Sequence, residues 1–165
     1  MEINTIVVGP LETNCYILTI DNECIIIDPG DDFDKIKKTI ENKNVVGVLL
    51  THFHPDHIGA LEEVISLYDL KINEVNSKKF EFETIATPGH TNESVCYYFK
   101  KNNTMFTGDF IFKQSIGRTD LGGSDTDMKN SLDMISNYPD NIIIYPGHGP
   151  KTILGNEKKY FRYYF

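Results

Sequence analysis

Basic side chains are in short supply in this 165-residue chain, where 16 lysines and arginines stand against 24 aspartates and glutamates, a formal net charge of −8 at pH 7. Nonspecific nucleic-acid binding needs a basic surface to neutralise phosphates, so no nucleic-acid partner is expected. Long apolar runs are missing too. None approaches the ~18 residues of a membrane span, and Met1-Glu2-Ile3-Asn4 lacks the basic start and apolar core of a signal peptide. The expectation is a cytoplasmic protein with no membrane partner. Cysteine is scarce: Cys15, Cys24 and Cys96 are odd in number and form no CxxC pair, which speaks against a disulfide framework and the usual thiolate-metal motifs. They are expected to pack as small buried thiols. Linkers, repeats and low-complexity segments are absent as well, and the length suits one domain, residues 1–165, with a core that needs no disulfide.

Histidine, by contrast, is concentrated. Three of the chain's five lie in His52-Phe53-His54-Pro55-Asp56-His57, and His90 and His148 each sit in a Gly-rich turn. Before the cluster, Val45 to Leu50 is an apolar, β-branched run of strand length. After it, Ile58, Leu61, Val64, Ile65 and Tyr68 recur at helical spacing. The cluster is therefore the turn between a buried strand and an amphipathic helix. In such a turn side chains two apart converge on one point, while Asp56 and His57, at the helix entrance, aim at a second. Neutral imidazole and carboxylate are the donors that zinc, iron and manganese accept, so the motif predicts a two-metal centre. The plainer reading, an Asp56 that only faces the helix macrodipole among ordinary histidines, explains poorly why several ligand types recur at fixed spacing.

Elsewhere the pattern predicts strands at Ile3 to Val8, Thr13 to Ile20 and Glu23 to Ile27, then a turn at Asp28-Pro29-Gly30 and a helix over Asp32 to Glu41. Lys71 to Val75 is a weaker strand candidate, and Phe80 to Ile85 alternates. Ser94 to Phe99 and Thr104 to Thr107 form a hairpin around Lys101-Asn102-Asn103. Ser124 to Asp127 resembles a capping box opening a helix with Met128, Leu132 and Ile135 on one face, and Asn141 to Tyr145 is the last clear strand. His52, His90, Asp109 and His148 each lie just past a predicted strand. Strand ends in a rigid sheet hold side chains to the tolerance a metal needs.

Thr51-His52-Phe53-His54-Pro55-Asp56-His57, Thr87-Pro88-Gly89-His90-Thr91, Gly108-Asp109 and Pro146-Gly147-His148-Gly149, in that order, resemble the successive metal motifs of the metallo-β-lactamase fold superfamily. Glu12-Thr13-Asn14-Cys15-Tyr16, Gly117-Arg118-Thr119-Asp120, and Thr152 with Glu157-Lys158 are similar to its glyoxalase II-like hydrolases. The resemblance covers essentially the whole chain. It implies an α/β (α+β) fold, a four-layer αββα sandwich of two mixed β-sheets. It further implies two divalent metal ions, zinc first, with iron or manganese also suited to the donors. His52, His54 and His90 would hold one ion, Asp56, His57 and His148 the other, and Asp109 would bridge them.

A bridging aspartate is generally lacking in relatives that hydrolyse β-lactams, so a small thioester or ester is the expected substrate. Water shared by two cations ionises near neutral pH and attacks the carbonyl, with Asp56 as the residue that orients it. Two departures bear on specificity. Only 32 residues separate His57 from His90, fewer than is usual in the family, which implies a trimmed and open pocket. The chain also ends without the helical domain that helps longer glyoxalase II enzymes bind glutathione, an argument against glutathione thioesters. Arg118 suits a substrate carboxylate through its planar fork, or else an ion pair with Asp120 or Asp125. The basic, aromatic segment Lys158 to Phe165 fits core packing or a homodimer contact better than a ligand surface. Alternatives are a mononuclear-iron persulfide dioxygenase using His52, His90 and Asp109, a non-catalytic scaffold stapled by metal, and a nuclease, which the charge disfavours.

Overall fold

All of residues 1–165 are described in the computed structural model, which divides into two units, Met1–Glu81 and Phe82–Phe165. In the first, β1 (Glu2–Val8), β2 (Thr13–Ile20) and β3 (Glu23–Ile27) are followed by α1 (Phe33–Thr39), β4 (Asn44–Leu49), α2 (Pro55–Ile58), α3 (Leu61–Tyr68) and β5 (Glu74–Val75). The strands form one sheet in chain order. Only β3 and β4 pair in parallel, with α1 as the crossover, so the sheet is mixed.

Ile25, Ile26 and Ile27 are all inaccessible to solvent, as a strand covered on both faces requires. One face, with Cys15, Ile17, Cys24, Ile26 and Val48, packs against Ile36 of α1, Ile40 just past its end, and Leu61 and Val64 of α3. The crossover places the ends of β3 and β4 side by side, and Asp28 N–H donates to the Leu49 carbonyl at 3.0 Å.

The single helix expected after the histidine cluster is two. The interruption falls at Ala60, φ −103° and ψ 9°, where two glycines allow a close approach: a Cβ on Gly30 would lie 1.8 Å from the Asp56 carbonyl oxygen, and one on Gly59 would lie 2.3 Å from that of Gly30. The backbone of the Asp28-Pro29-Gly30 turn thus runs directly against the histidine loop, and Ala60 N–H donates to the Pro29 carbonyl at 3.0 Å. Gly59 keeps helical dihedrals, φ −60° and ψ −29°, and its missing side chain admits that approach.

The second unit comprises β6 (Glu83–Ala86), β7 (Val95–Phe99), β8 (Thr104–Gly108), β9 (Ile111–Phe112), β10 (Ser115–Ile116), α4 (Asp125–Ile135), β11 (Ile143–Pro146), β12 (Thr152–Ile153) and α5 (Leu154–Phe161). Its main sheet has the order β12-β11-β8-β7-β6, and β9 with β10 forms a separate hairpin. β8 and β11 are parallel, while β7 is antiparallel to both β6 and β8. Hence β6, β8 and β11 all point the same way and end at one edge.

Met128, Leu132 and Ile135 of α4, with Leu154 of α5, pack on Ile85, Cys96, Tyr98, Met105 and Ile144. Ser124 caps α4, its hydroxyl accepting from Asp127 N–H at 3.2 Å. The strand expected over Phe80 to Ile85 begins only at Glu83; Phe82 instead packs its ring on Tyr97 and Phe99. The Lys71 to Val75 strand shrinks to Glu74–Val75 plus a bridge at Ile72, and the last expected strand starts at Ile143 rather than Asn141. No helix is long and apolar enough to cross a membrane. The three cysteines are free and buried.

Candidate metal centre

Each unit assembles its own part of the expected ligand set. In the first, the β3 and β4 ends bring Asp28 against the histidine loop. Asp28 is 1 % exposed. It accepts from Thr51 N–H at 2.8 Å, from the Thr51 hydroxyl at 2.7 Å and from His57 Nδ1 at 2.9 Å. A carboxylate only accepts, so His57 carries its proton on Nδ1 and turns Nε2 toward the loop. The Thr51 hydroxyl has given its hydrogen to Asp28, so its 3.1 Å contact with His52 Nδ1 is one in which the imidazole donates. His52 Nε2 is thereby left as the donor atom for a metal. It lies 3.2 Å from His54 Nδ1, and the Asp56 carboxylate, with Oδ2 held by the Thr13 hydroxyl at 2.8 Å, stands 3.5 Å from His57 Nε2.

In the second unit, His90, Asp109 and His148 follow β6, β8 and β11 and so meet at the shared strand edge. His90 Nδ1 donates to the Arg118 carbonyl at 2.7 Å, and its Nε2 lies 3.5 Å from Asp109 Oδ2. His148 Nε2 lies 3.5 Å from the same oxygen. Gly147 N–H donates to the Gly108 carbonyl at 2.8 Å, tying the tips of β8 and β11. Gly117 permits the close pass of the following loop, since a Cβ there would lie 1.7 Å from the Asp109 carbonyl oxygen.

These separations test whether the residues fit a metal. Contacts of 3.5 Å between imidazole nitrogen and carboxylate oxygen are long for charge-assisted hydrogen bonds, which run about 2.7–2.9 Å. Two ligands bound at ~2.1 Å in tetrahedral array stand about 3.4 Å apart. The 3.2 Å His52–His54 pair and the three 3.5 Å histidine–aspartate pairs match that edge. Moreover, three of the histidines tie their other ring nitrogen to a protein oxygen, the outer support typical of metal-bound imidazole. The donor set fits.

Arg118 takes the second of its two expected roles, an ion pair with Asp120. Its guanidinium forms a two-point pair with Asp120, at 2.6 and 2.5 Å. The pairing holds the Asp120 carboxyl below and the Arg118 guanidinium above their ordinary ranges. Its backbone carbonyl, not its charge, touches the ligand set. Asp28 is the supporting residue that motif reasoning missed; an aspartate directly after the apolar run of β3 was its only sequence signal. The cysteines take no part. Burial pushes the Cys24 thiol up to about 11 and the Cys96 thiol up to about 12, and raises Cys15 further, so none is a thiolate nucleophile at neutral pH.

A profile of the Metallo-beta-lactamase superfamily matches residues 8–84 and 73–148, which together span every ligand described above. The chain belongs to the metallo-β-lactamase superfamily. Among its similar proteins is the probable metallo-hydrolase YqgX of Bacillus subtilis, 33% identical over 88% of this chain and 89% of that protein. A hydroxyacylglutathione hydrolase of Buchnera aphidicola is 37% identical over 81% of this chain and 60% of its own length. The crystal structure of the BLEG-1 B3 metallo-β-lactamase superposes with a TM-score of 0.89, at 31% identity, covering 99% of both chains. The mixed sheets and flanking helices are thus those of the metallo-β-lactamase fold. A metallo-β-lactamase superfamily member with this His/Asp set is a metal-dependent hydrolase.

Proposed function

We propose that the protein hydrolyses a small thioester, in the manner of glyoxalase II-like enzymes, at a centre of two divalent metal ions. His52, His54 and His90 would hold one ion and Asp56, His57 and His148 the other, with Asp109 available to both. The observation that carries this reading is Asp109 Oδ2, which stands at the same 3.5 Å from His90 Nε2 and His148 Nε2, two histidines assigned to different ions. The likeness to a hydroxyacylglutathione hydrolase supports the substrate class.

The metals, when bound, supply an ionised water near neutral pH and polarise the carbonyl. The protein's part is positioning. Asp28 and the Arg118 carbonyl keep His57 and His90 in the tautomer whose Nε2 ligates, and Thr13 steadies the Asp56 carboxylate that orients the attacking water. Water adds to the thioester carbonyl and the carbon–sulfur bond breaks, giving a carboxylic acid and a thiol. Zinc is the metal favoured by the donors, and the site works in the cytoplasm on a soluble metabolite.

The likeness to BLEG-1 over its full length gives β-lactam hydrolysis as the second reading. Elemental analysis combined with thiol release from lactoylglutathione and a chromogenic β-lactam tests both. Two metals per chain, thiol release and loss of at least about 100-fold in a folded Asp109→Ala variant are expected. β-Lactam turnover without thiol release selects the second reading. Oxygen consumption with one iron per chain selects persulfide dioxygenation, and an Asp109→Ala variant that fails to fold, with no activity in the parent, selects a structural staple.

A further inference from the structure

Beside His90, Asp109 and His148 lies a cavity of about 540 Å³ whose walls combine the apolar Phe112 and Ile116 with two cations, Lys113 and Arg118. The cations differ in what they offer. Arg118 is matched by Asp120 at two points, so it brings little net charge to a ligand. Lys113 is exposed, forms no ion pair, and borders this cavity and a neighbouring hollow of about 340 Å³. That hollow contains a second cation, Lys151, whose Nζ lies 5.9 Å from the centre of the Tyr145 ring. Two ammonium groups therefore line hollows that share Lys113, the first of them bordered by His90, Asp109 and His148, on a protein of net charge −8.

The segment that carries Lys113 is anchored. Phe112 pairs with Ser115 across the β9–β10 hairpin, and Gln114 in its turn has φ 59°, in the left-handed region. Gln114 N–H donates to Glu157 Oε2 at 2.7 Å, and Glu157, only 2 % exposed, accepts the Thr152 hydroxyl on its other oxygen at 2.5 Å. A buried carboxylate from α5 thus sets the turn, and with it the place of the Lys113 side chain. Both donors to Glu157 are neutral groups, and no ion pair joins it to Lys113.

We propose that Lys113, with Lys151 behind it, binds an anionic group on the substrate, a carboxylate or a phosphate, and so selects acidic thioesters over neutral ones. This deepens the thioester reading and rests on it. A lysine ammonium is a compact point charge that accepts either anion without the fixed fork an arginine demands. Because Lys113 is exposed, its effect is moderate and screened by salt.

The test uses metal-loaded protein and two series of thioesters, in which the thiol arm or the acyl arm ends in a carboxylate, a phosphate monoester or a neutral amide. Matching thioethers, which cannot be hydrolysed, report binding by calorimetry. In at least one series the anionic thioethers bind about tenfold more tightly than the neutral one, and the thioesters show the same ratio in KM. Lys113→Met removes most of that ratio, Lys113→Arg keeps it, Lys151→Met lowers it chiefly for phosphate, and raised salt shrinks it in the wild type. Equal binding of all three ends in both series, or a ratio unchanged in Lys113→Met, overturns the proposal. Thioethers that bind with a Lys113-dependent ratio while no thioester is cleaved leave the anion site standing and remove the thioester hydrolase instead.

Discussion

Asp28 Oδ2 sits 2.9 Å from His57 Nδ1, across 29 residues of chain. A carboxylate that never faces substrate thereby decides which imidazole nitrogen faces the metal. Asp28→Asn keeps most of the shape but sets an amide where two acceptors are needed. Metal affinity is expected to fall about 10–100-fold, read by chelator competition, with the circular dichroism of the fold retained. An unchanged affinity would show that the tautomer is set elsewhere.

Thr13 makes a finer adjustment. Its hydroxyl reaches Asp56 Oδ2 at 2.8 Å, so Thr13→Val removes one neutral donor from a ligand while Thr13→Ser keeps it. One such bond is worth ~1 kcal/mol, about a fivefold loss in the affinity of the metal that Asp56 holds. Equal losses in the valine and serine variants would point to the methyl group instead of the hydroxyl.

The cysteines give a pH prediction. In the unfolded chain their thiols ionise near 9.0, whereas burial raises Cys24 to about 11 and Cys96 to about 12. The folded state therefore binds these protons more tightly. Their contribution is complete below pH 9 and is lost as the pH rises through 11 to 12. Denaturant midpoints should fall steadily above pH 9, and the fall should lessen in Cys24→Ala/Cys96→Ala when each variant is referred to its own neutral-pH midpoint. A thiol reagent should label none of the three in the native protein at pH 7.

Glu157 is expected to matter more than its place near the chain end suggests. Glu157→Ala leaves the Gln114 N–H and the Thr152 hydroxyl without their acceptor, a cost of ~2–4 kcal/mol for two groups. Thermal unfolding reads the loss. Glu157→Gln, which keeps an acceptor oxygen, should recover part of it.

Much of the frame was legible before any coordinates. β2 and β3 carry unbroken apolar runs, Cys15 to Leu18 and Cys24 to Ile27, because both faces are covered there, and α4 shows its cap and its apolar stripe together. The candidate ligands stood out because a metal site gathers rare donors into short motifs such as His52 to His57. Other parts carried no such signal. β9, β10 and β12 are two residues each, too short for any period, and α5 buries only Leu154 and Glu157, which is no stripe. Gly59 is matched to Gly30, a residue 29 positions away whose backbone it touches, a relation no local pattern shows. His90 is oriented by the Arg118 backbone carbonyl, and every residue owns one of those, so no side-chain pattern marks that role.

The parallel run of β6, β8 and β11 has a wider consequence. Three candidate ligands follow the tips of strands whose interiors pack, so candidate chemistry and architecture occupy separate stretches of polypeptide. Loops past those tips, the one bearing Lys113 among them, are free to diversify while the frame beneath stays as it is. A lineage built this way can trade one acyl compound for another by altering a handful of positions.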